Sequence, residues 1–160
     1  PKQLESAVFV REVRRILQEV DLHDIQLILE VTERSLLSTS GRILERIREL
    51  KQLGIQMSMD DFGMGHSSMM YLQENAFDEV KLDGSLVRQI LENERSRDIV
   101  RGITRLAASM QFHVVAEFVE TREQMELLKA LHCDIYQGYY YGKPCSCDEF
   151  IIKYLKQEPR

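Results

Sequence analysis

The sequence predicts an α/β fold built on a parallel sheet, and three observations predict it. From Asp21 onward, short β-rich runs alternate with amphipathic stretches. The apolar spacing switches between a period of two and one of about three and a half. Polar residues recur toward the C-terminal end of each predicted strand, where the sites of parallel α/β folds are built. At 160 residues and 44% hydrophobic, the chain can bury a sizeable core and reads as one domain over 1–160.

The elements follow in order. A first helix is predicted where Phe9, Val13, Ile16, Leu17 and Val20 share a face. The run "QLILEVTE", Gln26–Glu33, predicts the first strand. Ile43, Ile47 and Leu50 line a helix that Gly54 ends, and "QMSMDD", Gln56–Asp61, predicts the second strand. The third is "EVKLD", Glu79–Asp83, followed by a helix with Ile99, Ile103, Leu106 and Met110 on its inner face. "HVVAEFVE", His113–Glu120, and "DIYQGYY", Asp134–Tyr140, complete five strands. Thr121 with Gln124, and Ser146 with Glu149, have capping-box spacing and place helix starts just beyond them.

Composition narrows the function classes. A net charge of −5 argues against a nucleic-acid polymer as partner, since such binding needs a basic face, but leaves room for a small phosphate ligand met by metal ions. No run approaches the roughly 20 apolar residues of a membrane span, and no signal peptide opens the sequence, so a cytoplasmic location is expected. Three cysteines fit a reducing compartment. Cys145 and Cys147 with His132 match no usual zinc-ligand spacing.

The candidate site residues are those of the strand ends: Glu30, Asp60, Asp61, Lys81, Glu117 with Glu120, and Gln137. Taken singly, each has an ordinary explanation as a solvated charge, a turn or a cap; their recurrence at every strand end points to a shared mouth. The pair Asp60–Asp61 poses the sharpest question, because adjacent carboxylates raise each other's pKa unless positive charge lies between them. A bound cation would supply it.

Five ordered motifs carry a resemblance: "EVTE" (Glu30–Glu33), "DDFGMGHSS" (Asp60–Ser68), "KLD" (Lys81–Asp83), "VVAEFVET" (Val114–Thr121) and "QGYYYGKP" (Gln137–Pro144). Their order and spacing resemble those of the EAL-domain family of cyclic di-GMP phosphodiesterases. The resemblance implies a (β/α)8 TIM-type barrel that hydrolyses cyclic di-GMP to linear pGpG with two Mg2+ or Mn2+ ions. It implies that Glu30, Asp60 and Asp61 are metal ligands, that Glu120 reaches the metal shell through water, and that Lys81 and Glu117 bracket the attacking water. Gln137 would support the far side of the site, and Glu33 would anchor the loop that begins at Phe62 and Gly63. The chemistry wants these types: hard oxygen donors select Mg2+ or Mn2+, and two ions activate water and neutralise a phosphoryl group.

The departures from the family pattern are equally specific. Phe118 stands where the family usually has Gly, His66 where it has Tyr, Met64 where it has Thr or Ala, and Gly84 where a basic residue is frequent. The Phe118 side chain is expected either to point away from the mouth or to narrow it. The family's Glu-Ala-Leu motif and a metal-binding Asn precede the segment that "PKQL" resembles, so the sequence reads as the C-terminal part of one such domain, lacking about three strands. Open sheet edges then favour a homodimer or higher oligomer, and the resemblance leaves room for a sensory or diguanylate cyclase (GGDEF) domain upstream. The alternative reading is a non-catalytic EAL domain that binds cyclic di-GMP or a protein partner.

Overall fold

The computed structural model describes residues 2–20, 25–36, 42–63 and 68–155. Five parallel strands lie side by side in sequence order: β1 Ile28–Thr32, β2 Gln56–Phe62, β3 Glu79–Leu82, β4 His113–Ala116 and β5 Ile135–Tyr136. Helices Arg42–Gln52, Ser68–Gln73, Gly84–Arg88, Glu94–Met110 and Arg122–Ala130 supply the crossovers. A run of βα units in unbroken strand order is the arc of a TIM-type barrel, whose closure takes eight strands.

Strand register sorts the side chains onto two faces, because residues two apart point the same way. Leu29, Val31, Met57, Met59, Val80, Leu82, Val114 and Ala116 face the helices and join one apolar cluster with Ile43, Ile47, Leu50, Val100, Ile103, Ala107 and Leu128. The other face holds Glu30, Ser58, Asp60, Glu79, Lys81 and Val115, so the inside of the arc is largely polar. The strands' N-terminal ends are tied for stability. Asp78, preceding β3, accepts from the Met57 N–H at 2.8 Å and pairs with Lys51 at 2.8 Å. Asp134, preceding β5, accepts from the Val114 N–H at 2.8 Å.

The predicted strands appear in place: β1 and β3 start and end within two residues of expectation, β2 gains Phe62, and β4 and β5 are markedly shorter than the alternation suggested. β4 stops at Ala116 instead of Glu120 because Phe118 takes a positive φ of 56°, which no ladder accommodates. The chain after it is held by long-range bonds, the Val119 N–H donating to Gln137 O at 3.1 Å and the Tyr140 N–H to Val119 O at 3.0 Å. β5 is only two residues long, since residues 138–141 turn to make those contacts. A Cβ on Gly138 would overlap the Val119 backbone, so no larger residue fits this crossing.

Helix faces were legible less evenly. In Glu94–Met110 the buried stripe is Val100, Ile103, Thr104 and Ala107, with Leu106 and Met110 partly buried; Ile99, expected on that stripe, is 40% exposed. Leu106 and Met110 thus flank the stripe rather than centre it, and Ile99 falls outside it. In Ala7–Glu19, Phe9, Val13 and Leu17 pack on the core while Ile16, and Val20 just beyond, stay exposed. Among the described residues no helix is long and apolar enough to cross a membrane.

Phe77, fully enclosed just before β3 and edge-on to Tyr71, sits under the centre of this arrangement. Replacing Phe77 by Ala is expected to lower the unfolding free energy by about 3–5 kcal/mol in urea melts. A loss below about 1 kcal/mol would mean that the apolar cluster does not depend on this anchor.

Candidate functional site

The site is organised by a buried cation. Lys81, on the inner face of β3 and 5% exposed, places Nζ 2.7 Å from Glu117 Oε1 and 2.9 Å from Glu30 Oε1. Burial alone would lower the lysine pKa, but the hydrogen bonds and charges of Glu117 and Glu30 outweigh it and hold the group above its ordinary value. Lys81 is therefore a fixed ammonium at neutral pH. Its partners differ: the Glu117 side chain is 16% exposed, that of Glu30 52%.

Asp60 and Asp61 occupy the end of β2 at a register shift between Met59 and Phe62. Strict alternation would send Asp61 into the helix layer. Instead Asp61 adopts φ 57°, its N–H donates to Asp60 Oδ1 at 2.9 Å, and its side chain stays exposed while Phe62 becomes buried. A bulge of this kind re-aims a side chain at a strand end. Desolvation, then the charges of Asp60 and Asp83, raise the Asp61 pKa, with Lys81 opposing them. The excess of negative charge anticipated from the sequence is thus present.

Glu33 is buried and accepts from the Gly63 N–H at 3.3 Å, tying the start of the Phe62–Gly63 segment to the end of β1. Met64 and His66, in the same loop, lie outside the described residues. Glu120 and Gln137 are exposed and line, with Glu117, Phe118, Arg88 and Tyr139, a cavity of about 430 Å³ beside the lysine. The Glu120 N–H donates to Gln124 Oε1 at 2.8 Å, so the cap of helix Arg122–Ala130 also fixes this turn.

The structure thus brings Glu30, Lys81 and Glu117 into direct contact and places Asp60 and Asp61 on the adjacent strand. Among the described residues no three acidic, histidine or cysteine side chains converge closely enough to hold a metal. The donor chemistry nevertheless fits a hard divalent cation: carboxylates at neighbouring strand ends, one with its pKa raised by desolvation and by its like-charged neighbours. Sequence reasoning missed Arg88, whose guanidinium lies 4.2 Å from the centroid of the Phe118 ring. Its signal was its place four residues after Gly84 on a helix, which puts both on one face. The Lys81–Glu30 contact was also missed.

A row of parallel βα units whose strand ends gather carboxylates around a buried lysine defines a TIM-type barrel protein with an acidic site at its C-terminal mouth. The EAL domain profile matches residues 1–144, and the chain belongs to the EAL domain family. It is 36% identical over 154 residues, 94% of its length, to the cyclic di-GMP phosphodiesterase NbdA of Pseudomonas aeruginosa, of which it spans 20%. The EAL enzyme Bd1971, solved with cAMP and cyclic di-GMP bound, superposes with TM-score 0.85 at 30% identity, over 94% of this chain and 40% of that one. Klebsiella pneumoniae BlrP1, solved as a manganese and cyclic di-GMP complex, superposes with TM-score 0.78 at 26% identity, over 89% of this chain and 36% of that one. The chain therefore spans about a fifth of the curated relative and two fifths or less of the solved ones.

Removing the ammonium leaves Glu117 largely buried without its partner, so Lys81→Met is expected to cost about 1–3 kcal/mol of stability. A raised folded pKa contributes stability that is fully present below the ordinary lysine value of 10.5 and is lost as pH rises through the folded value. The advantage of the wild type over Lys81→Met should therefore hold from about pH 7 to about pH 9 and shrink above about pH 11. Denaturant melts across that range check it; an advantage that grows at alkaline pH would contradict the ion-pair geometry.

Proposed function

We propose that this chain is the C-terminal part of a cyclic di-GMP phosphodiesterase domain that hydrolyses one phosphodiester bond to give linear pGpG. The observation that supports this reading best is Lys81, held as a buried ammonium between Glu30 and Glu117 beside the re-aimed Asp60–Asp61 pair. The relatives' names supply the substrate.

In this reading Glu30, Asp60 and Asp61 hold two divalent ions, Mg2+ or Mn2+, with Glu120 acting through water. When bound, such ions polarise the phosphoryl oxygens and lower the pKa of an attacking water. Lys81 keeps its proton at neutral pH, because its folded pKa is raised, so it donates to the anionic phosphoryl group rather than taking a proton. Glu117, pinned by Lys81, is the acceptor that orients the water. For Glu30 to serve a cation, its oxygen must share or exchange its bond to Lys81, and its half-exposed side chain leaves room to do so. Glu33 acts on the loop, not on the substrate, through the Gly63 N–H. Gln137 supports the opposite wall. The domain works as a homodimer or higher oligomer in the cytoplasm, under a sensory or diguanylate cyclase module of the same protein.

Asp60→Asn, which changes charge and ligand quality but hardly any volume, is expected to abolish pGpG production by the full-length protein while circular dichroism stays unchanged. Its Mn2+ affinity by calorimetry should fall about 10–100-fold or more, the usual loss at a weakened metal site. Unaltered Mn2+ affinity would remove Asp60 from the metal site, and unaltered turnover would remove the site from the chemistry.

A further inference from the structure

The cavity beside Lys81 contains a feature that hydrolysis does not require. Phe118 is a bulky residue in the left-handed region, φ 56°, and 44% exposed, although a glycine would take that backbone without strain. One side of its ring is built in. The Arg88 guanidinium stacks at 4.2 Å from the centroid, and Gly84 lies beneath the ring edge. A Cβ on Gly84 would come within 2.6 Å of Phe118 Cε2 and 2.8 Å of Arg88 Nη2, so any other residue there pushes both side chains from their places. Gly84 opens a helix with an ordinary φ, where alanine would be the better helix former, so its use is space and not conformation. Two residues, each unfavourable locally, thus serve a single result: an aromatic ring held flat at the edge of the cavity.

We infer that Phe118, seated over Gly84 and backed by Arg88, is a stacking platform for a purine base of the substrate, and that it sets substrate affinity rather than the rate of bond cleavage. This rests on the phosphodiesterase reading for the identity of the nucleotide. The cavity of about 430 Å³ is of ligand size. Its polar lining offers acceptors at Glu120 and a donor–acceptor amide at Gln137. Guanine presents the complementary set, N–H donors on one edge for the Glu120 carboxylate and the O6 and N7 acceptors on another for the Gln137 amide. Glu117 lines the same cavity and bonds Lys81 at 2.7 Å, so a base stacked on Phe118 lies one residue from the group that would meet its phosphate. Cation–π contact with Arg88 stiffens the platform and polarises it for a second aromatic layer.

The test uses the full-length protein. Phe118→Ala is expected to raise the KM for cyclic di-GMP about tenfold, the size of effect that stacking losses produce, with kcat changed less than about threefold. Phe118→Trp should keep KM near that of the wild type, and its added indole fluorescence should be quenched on titration of the metal-free protein with cyclic di-GMP. Phe118→Gly separates packing from binding: relief of the left-handed strain should leave the melting temperature unchanged or higher while affinity falls. Gly84→Ala should raise KM alone but add nothing in the Phe118→Gly background, because the ring it would displace is then gone. Wild-type turnover with KM unmoved by Phe118→Ala, or an indole blind to the nucleotide, would overturn the platform and leave the phosphodiesterase reading standing. A wild type that neither binds nor hydrolyses cyclic di-GMP would overturn both.

Discussion

The interaction on which the site depends is the buried ammonium of Lys81 between Glu30 and Glu117. The three residues come from β3, β1 and the end of β4, so their contact requires that β1, β2, β3 and β4 lie in that order, with the register observed. Burial alone would lower the pKa of a lysine in this position; the acidic partners outweigh that and hold it as a cation. The pairing also decides where the remaining negative charge goes. Glu30 and Glu117 are neutralised in part by Lys81, whereas Asp61 feels the charges of Asp60 and Asp83, which Lys81 offsets only in part.

The arc resolves a conflict between packing and chemistry by assigning each to one face of the sheet. Met57, Met59, Val80, Leu82, Val114 and Ala116 pack outward against helices, and Glu30, Ser58, Asp60, Glu79 and Lys81 point inward. Rigid packing on one side is what allows charged groups on the other to be held within hydrogen-bonding distance. Division also runs along the strands: Asp78 and Asp134 secure the N-terminal ends, while the C-terminal ends present the groups available to a ligand. This is the usual polarity of parallel βα barrels.

What could be read in advance was whatever depends on periodicity. Each strand was visible because alternation at period two survives in Gln56–Asp61 or Glu79–Asp83 without knowledge of their neighbours. The capping boxes at Thr121 and Ser146 were local in the same sense, and both formed. The end of β4 was hidden because it turns on Phe118, whose backbone is set by Val119 bonding Gln137 and by the space above Gly84, contacts between segments far apart in sequence. The Lys81–Glu30 bond spans 51 residues and had no local trace. Ile99 was misassigned because a few apolar residues at near-helical spacing fit two neighbouring stripes, and only the packed sheet chooses between them.

The most direct measurement of the central claim is a pair of double-mutant cycles on metal-free protein, Lys81→Met with Glu117→Gln and Lys81→Met with Glu30→Gln, read as unfolding free energies. The enclosed Lys81–Glu117 pair should show a coupling above about 1 kcal/mol, and the half-exposed Lys81–Glu30 pair a coupling of about 0.2–1 kcal/mol. Couplings indistinguishable from zero for Lys81–Glu117, or a larger one for Glu30, would contradict the account in which Lys81 is fixed chiefly by Glu117.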